Sequence, residues 1–345
     1  MDTPVLPKRI IFPENPLYCV TESVVHTGFR PGHSPGPSFM QRALLSAARL
    51  AKILSNGFRS TVFSPQWFLA YNIVQEGMNR DTCSDLRYIV PPGDRYFADP
   101  FPVAVEGRYY IFLEEFLYEK RKAHISVIEM HRDGTWLEPL KILERDYHLS
   151  YPFIFLWKGE YFLLPETIGH RSIEVYRCVE FPIKWRFEKT LVDNIDAVDA
   201  TLHQADDAWW MFVGVGRPGF PNDELHVFHS ESPLGPWKPH NHNPVKSDVA
   251  SARPAGRLFK MDGELYRPAQ DCSVRYGYAI TLNKIEKLTQ DEFRETECIK
   301  LRPRLLKGLW GVHTWNRTEE LTVMDCFRYK PKFLARAHWF GSNGR

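Results

Sequence analysis

The 345 residues carry 44 basic and 42 acidic side chains, a formal net charge of +2. That balance excludes nucleic acid or an anionic membrane as the main partner, since both call for a basic face against phosphate. With no apolar leader and no apolar run of about 18 residues, a soluble, cytoplasmic protein without a transmembrane segment is expected.

Residues 1–60 read as an N-terminal arm. The stretch Arg30-Pro31-Gly32-His33-Ser34-Pro35-Gly36-Pro37 is irregular, and Ser38 is placed to cap one short helix over about 39–55, closed by Asn56-Gly57. Next comes a strand at Trp67 to Ile73, which stands apart from any hairpin. We expect it to close a ring by joining the last blade.

From residue 95 onward a single unit recurs. Val103-Ala104-Val105 turns at Glu106-Gly107 and returns as Tyr109 to Leu113, ending on Glu114-Glu115. Apolar, aromatic and β-branched runs about a glycine turn are the signature of a hairpin. The same layout returns at Phe153 to Glu166, Leu202 to Val213, Gly256 to Asp271 and His313 to Asp325. The turns at positions 107, 159, 207, 263 and 319 lie about 50 residues apart, the spacing of β-propeller blades. The sequence therefore predicts an all-β, five-bladed β-propeller over residues 61–330, followed by a basic tail at 331–345. Outer strands are expected at Ala123 to Ile128 with Trp136-Leu137, at Ser172 to Tyr176 with Trp185 to Phe187, and at Leu225 to Phe228 with Trp237. The three tryptophans suit packing between blades.

In such a fold two sets of positions ring one mouth of the channel. Those just before the first strand of each hairpin are Asp99, Tyr151 and Asp199, with Arg253 and His313 near the last two. Those just after the second strand are Glu114, Glu166, Gln270, Asp271 and Asp325. Glycosidic cleavage by acid and base needs two carboxyls across a cleft, one protonated and one ionised. Asp99, Asp199, Glu166 and Glu114 are the candidate catalytic groups. Tyr151, Arg253, Arg267, Gln270, Asp271 and His313 are candidate substrate-binding residues, and the arginines suit either pairing with carboxylates or an anionic group on the ligand. Any one of these acids also suits a strand cap or an ion pair, and a lone histidine suits a structural hydrogen bond. Six cysteines (Cys19, Cys83, Cys178, Cys272, Cys298, Cys326) show no metal-ligand spacing and read as free thiols.

The stretch Phe97-Ala98-Asp99-Pro100-Phe101 with Gly107 to Phe112 resembles the first blade of family 43 glycoside hydrolases. The resemblance implies that Asp99 stands at the general-base position and Asp199 at the position that tunes the acid. Where that family has its general acid, this chain has Ser251-Ala252-Arg253-Pro254-Ala255-Gly256-Arg257, with no Glu. No cofactor is required by the hydrolytic chemistry, although the resemblance implies a central Ca2+ near His313. A wider resemblance runs through Tyr151-Pro152-Phe153, Pro165-Glu166, Asp199-Ala200-Thr201, Leu234-Gly235-Pro236-Trp237 and Tyr266 to Cys272. These are similar to the propeller domain of plant glucosamine inositolphosphorylceramide transferases. Together the two imply a carbohydrate or glycoconjugate partner, with three roles open: a glycoside hydrolase-like enzyme, a glycosyl-transfer or sugar-modifying protein in glycan assembly, and a non-catalytic glycan-binding module.

Overall fold

The structure, a computed structural model, describes residues 63–73, 86–205, 207–217, 220–303 and 309–331. The expected helix at 39–55, the arm before it and the tail after Pro331 lie outside the described residues. Within them the chain forms five antiparallel sheets and a single 3-10 turn, Ile168–His170.

Blade one runs outward through Arg95–Val105, Arg108–Leu117, Lys122–Met130 and Leu140–Leu143. Blade two comprises Ser150–Trp157, Glu160–Thr167, Ser172–Glu180 and Lys184–Asp193. Blade three comprises Ala197–Ala205, Ala208–Arg217, Phe220–Ser230 and the short Lys238–Pro239, with Lys246–Ser247 also on its third strand. Blade four comprises Phe259–Met261, Glu264–Asp271, Ala279–Leu288 and Phe293–Leu301. Blade five takes two strands from each end of the propeller: Gly311–Arg317, Leu321–Pro331, Phe63–Ile73 and Arg87–Ile89.

The ring therefore closes as the isolated strand foretold. Phe63–Ile73 pairs with Leu321–Pro331 along its full length, from Phe63 opposite Pro331 to Ile73 opposite Leu321. The hairpin turns follow from local chemistry. Glu106-Gly107, Lys158-Gly159 and Asp262-Gly263 each place two successive residues at positive φ, the two-residue turn whose twist matches its flanking strands.

Hydrophobic cores lie between the blades rather than within them. Phe101 and Phe112 of blade one pack with Phe153, Leu163 and Val175 of blade two and with Leu202 and Met211 of blade three. Burying each such side chain contributes about 1.5–3 kcal/mol. Trp136, Trp185 and Trp237 pack against these clusters, Trp185 meeting the Phe112 ring edge-on at 5.8 Å. Cys272 and Cys326 are buried.

Two local expectations need correction. Trp136 makes an isolated bridge to Met130, and the fourth strand of blade one is Leu140–Leu143. In blade four the inner strand begins at Phe259, and Ser251 to Leu258 is irregular. Pro254 in this stretch and Pro268 opposite it have no backbone donor, and the Ala255 and Gln270 amides bridge the two, to the carbonyls of Pro268 (3.1 Å) and Arg253 (2.8 Å).

Candidate functional site

One backbone device builds the mouth. In blades one, two, three and five the inner strand slips register against its partner, between Ala98 and Phe101, Ser150 and Phe153, Val198 and Thr201, and Val312 and Trp315. Within the first three slips Asp99, Tyr151 and Asp199 hold φ of 49°, 43° and 55°. A left-handed conformation at a non-glycine residue costs on the order of 1–3 kcal/mol and needs bracing from its surroundings. For the first two the braces are carboxylates. Asp325 Oδ2 accepts the Asp99 amide at 2.9 Å, and Asp99 Oδ2 accepts the Tyr151 amide at 3.1 Å. Each of these acids thus holds the bulge of the next blade.

Asp99 is 4% exposed, and its Oδ1 takes the Thr314 hydroxyl at 2.6 Å and lies 3.4 Å from His313 Nε2. Burial, eased by His313 and reinforced by Glu114 and Asp325, pushes its carboxyl up to about 7. Asp325 Oδ1 accepts the amides of His313 and Thr314 at 3.0 and 2.9 Å, and His313 Nδ1 sits 2.6 Å from Oδ2. Burial works against a charged imidazole, but Asp325 and Asp99 outweigh it and push His313 up to about 9.

Asp199 serves a second cluster. Arg253 donates through Nε to its Oδ2 at 2.5 Å and through Nη2 to Oδ1 at 3.3 Å, and Gln270 Nε2 adds a bond at 2.9 Å. Blade three supplies the room. Opposite Ala98 and Ser150 stand Glu114 and Glu166, but opposite Val198 stands Gly214, and the Arg253 side chain passes 3.7 Å from where its Cβ would be. Arg253 Nη2 also lies 3.7 Å from Glu166 Oε2, an oxygen buried without a hydrogen-bond partner. Burial and then the Asp199 charge push the Glu166 carboxyl well above its usual range, against the pull of Arg253. Burial opposes the Arg253 charge in turn, yet Asp199 and Glu166 hold its pKa well above the ordinary arginine value.

Glu114 accepts the Tyr96 hydroxyl at 2.8 Å and lies 3.3 Å from His148 Nε2. Its neighbour Glu115 faces away, bound by Arg95 and Ser126 at 2.6 Å each and by His124 at 3.2 Å.

The structure thus gathers Asp99, Asp199, Glu114, Glu166, Arg253, Gln270 and His313 about one end of the channel. Three expected contacts fall elsewhere. Tyr151 is fully buried, its hydroxyl shared between Thr201 Oγ1 (2.8 Å) and the Gly256 amide (2.7 Å), so it is a strut joining blades two, three and four. Arg267 is fully buried in blade four, bonded to Glu295 at 2.6 and 2.8 Å and to the Ser251 and Ala252 carbonyls. Asp271 caps Ser273 and pairs with Lys300 at 3.2 Å. Arg257 donates to the Ile154 carbonyl at 2.7 Å and covers the Phe153 ring. Strand parity explains Arg267, because successive side chains point to opposite faces and proximity in sequence to Gln270 says nothing about direction. Tyr96, His148, Thr314 and Tyr276 are at the mouth without having been singled out. Tyr96 and Thr314 carried a signal, adjacency to the Asp99 stretch and to His313; His148 and Tyr276 sit in loops with no periodic pattern.

The donor atoms of Asp99, His313 and Asp325 lie within 4.8 Å of one another, close enough to suggest a metal. They do not fit calcium, which takes six to eight oxygen ligands. Here the carboxylate oxygens already accept three backbone amides on Asp325 and an amide plus a hydroxyl on Asp99. The imidazolium itself supplies the central positive charge.

Among the described residues no helix is long and apolar enough to cross a membrane. A solved structure of similar fold is the exo-beta-1,3-galactanase 1,3Gal43A from Clostridium thermocellum, 9% identical with a TM-score of 0.51, covering 69% of this chain and 62% of that one. A second is Zg3597, a family 117 glycoside hydrolase from Zobellia galactanivorans, 15% identical with a TM-score of 0.48 over 76% of this chain and 90% of that one. Closer in sequence is Glucosamine inositolphosphorylceramide transferase 1 of Oryza sativa subsp. japonica, 40% identical over 226 residues, 64% of this chain but 30% of the relative. The protein of that name from Arabidopsis thaliana is 37% identical over 208 residues, 59% of this chain and 27% of the relative. The chain thus matches less than a third of the length of these curated relatives. The family model for Glucosamine inositolphosphorylceramide transferase 1, N-terminal, matches residues 77–329, and the chain belongs to that family.

Proposed function

We propose that this propeller recognises the sugar of a glycoconjugate at its carboxylate-lined mouth and binds it without cleaving it, as a module of glycan assembly. The observation that carries this reading is Arg253. It occupies the blade-four position where the resembling hydrolases keep an acid, and it holds both Asp199 and Glu166. Asp99, at the resembling general-base position, spends its oxygens on an amide, a hydroxyl and the imidazolium. Asp99 and Asp199 are both buried, and both oxygens of each are engaged by the protein. Two of the family relatives bear the name of a transferase, and the family model describes the N-terminal part of that protein, which suits a recognition role beside transfer chemistry.

Glu166 favours a second, hydrolytic reading. Burial raises its carboxyl well above the ordinary range, and its Oε2 accepts no hydrogen bond, both features that suit a general acid. The two readings separate in one experiment, with the chain incubated with a panel of nitrophenyl glycosides and applied in parallel to a glycan array. Retention on the array with no turnover is expected. Turnover that Glu166→Gln abolishes, in a variant whose melting temperature matches the parent, would overturn the binding reading.

A further inference from the structure

Tyr276 sits in the loop of residues 272–278 between the second and third strands of blade four. Its side chain stays outside the inter-blade cores, and the residue is 47% exposed. Its placement is built rather than incidental. The adjacent Gly277 has φ of +64° and lies so close to Trp67 that a Cβ there would come within 2.5 Å of the indole. The Gly277 carbonyl in turn approaches Gly311 so closely that a Cβ on Gly311 would lie 2.1 Å from it. Two glycine contacts therefore clasp the loop to blade five and hold the tyrosine beside His313 and Arg253.

There the ring meets His313 at 5.3 Å with an interplanar angle of 67°, and the Arg253 guanidinium covers it at 5.2 Å from the ring centre. With Arg253 and His313 against the ring, nearly half of the residue's surface still stays open to a ligand. A flat aromatic face matches the C–H-bearing face of a pyranose, whose hydroxyls then point sideways to acceptors such as Glu114 and Glu166.

Charge selects the kind of sugar. Arg253 is matched by Asp199, His313 by Asp99 and Asp325, and His148 by Glu114. An anionic group entering the mouth would have to displace a carboxylate and face the others. The geometry points to Tyr276 as the stacking platform for a neutral pyranose ring at the mouth, an inference that rests on the carbohydrate-binding reading above.

The test is saturation-transfer NMR and titration calorimetry with methyl glucoside, methyl galactoside, methyl N-acetylglucosaminide, methyl glucuronide and glucose 6-phosphate. The wild-type chain is expected to bind a neutral glycoside and to favour it over both anions. Tyr276→Ala should weaken that binding about tenfold with the fold intact, and Tyr276→Phe should stay within about twofold of wild type. Unchanged affinity in Tyr276→Ala refutes this inference while leaving the binding reading standing. Preference for the glucuronide or the phosphate refutes the neutral class. If wild type binds none of the five and no glycan on the array, the binding reading itself fails and the platform with it.

Discussion

Asp325→Asn removes a charge and almost no volume from the most enclosed acid of the mouth, which is 0% exposed. The carboxylate accepts three amides, from His313, Thr314 and Asp99, and faces His313 Nδ1 at 2.6 Å. An asparagine can keep the two amides on Oδ1 by placing its oxygen there. Its NH2 group then confronts the Asp99 amide and the protonated His313, donor against donor. One buried donor left unmet costs about 1–3 kcal/mol, and breaking a buried ion pair costs about 3–5 kcal/mol. Because His313 can shed its proton to relieve part of this, the sum is about 3–5 kcal/mol. In a domain of this size that lowers Tm by roughly 10 °C near neutral pH.

The pH dependence supplies the sharper check. His313 is pushed up to about 9 from 6.5, so its contribution is fully present below pH 6.5 and is lost as pH rises through about 9. The variant has lost most of that contribution already. Thermal melts followed by circular dichroism should show the gap between parent and variant narrowing from about pH 6.5 to about pH 9.5. A gap that stays constant over that range, or a Tm loss below about 2 °C near neutral pH, would refute the ion-pair reasoning.

Two further outcomes test the frame around the site. Gly256 has φ of +138°, and a Cβ there would lie 2.1 Å from the Trp315 carbonyl oxygen, so Gly256→Ala forces blades four and five apart. It should cost at least about 3 kcal/mol by denaturant titration, and a loss under about 1 kcal/mol would show that the blades can part freely. Deleting residues 1–80 removes the strand Phe63–Ile73 and uncovers the edge that buries Leu321, Val323 and Cys326. The product should lack a cooperative melt; a shortened chain that melts as sharply as the parent would contradict closure through the N-terminal strand.

The repeat was legible because its causes are local. Alternating apolar runs about Gly107, Gly159 and Gly263 specify hairpins without reference to the rest of the chain, and their spacing leaves a ring of blades as the way to bury every face. The positions at the mouth followed from the same phase: Asp99 and Asp199 fall at equivalent slips, and Glu114 and Glu166 at equivalent partners. What those residues do was decided by contacts across the ring. Asp99 meets Thr314, 215 residues away, and Asp199 meets Arg253, 54 residues away. Such pairings depend on which blade stands beside which and on how far a side chain reaches, information that no spacing along one strand contains. Arg253 and Arg267 show the difference most clearly. Both were legible as cations of blade four, but only the closed ring with Gly214 left bare brings one to the central carboxylates, while strand parity buries the other against Glu295.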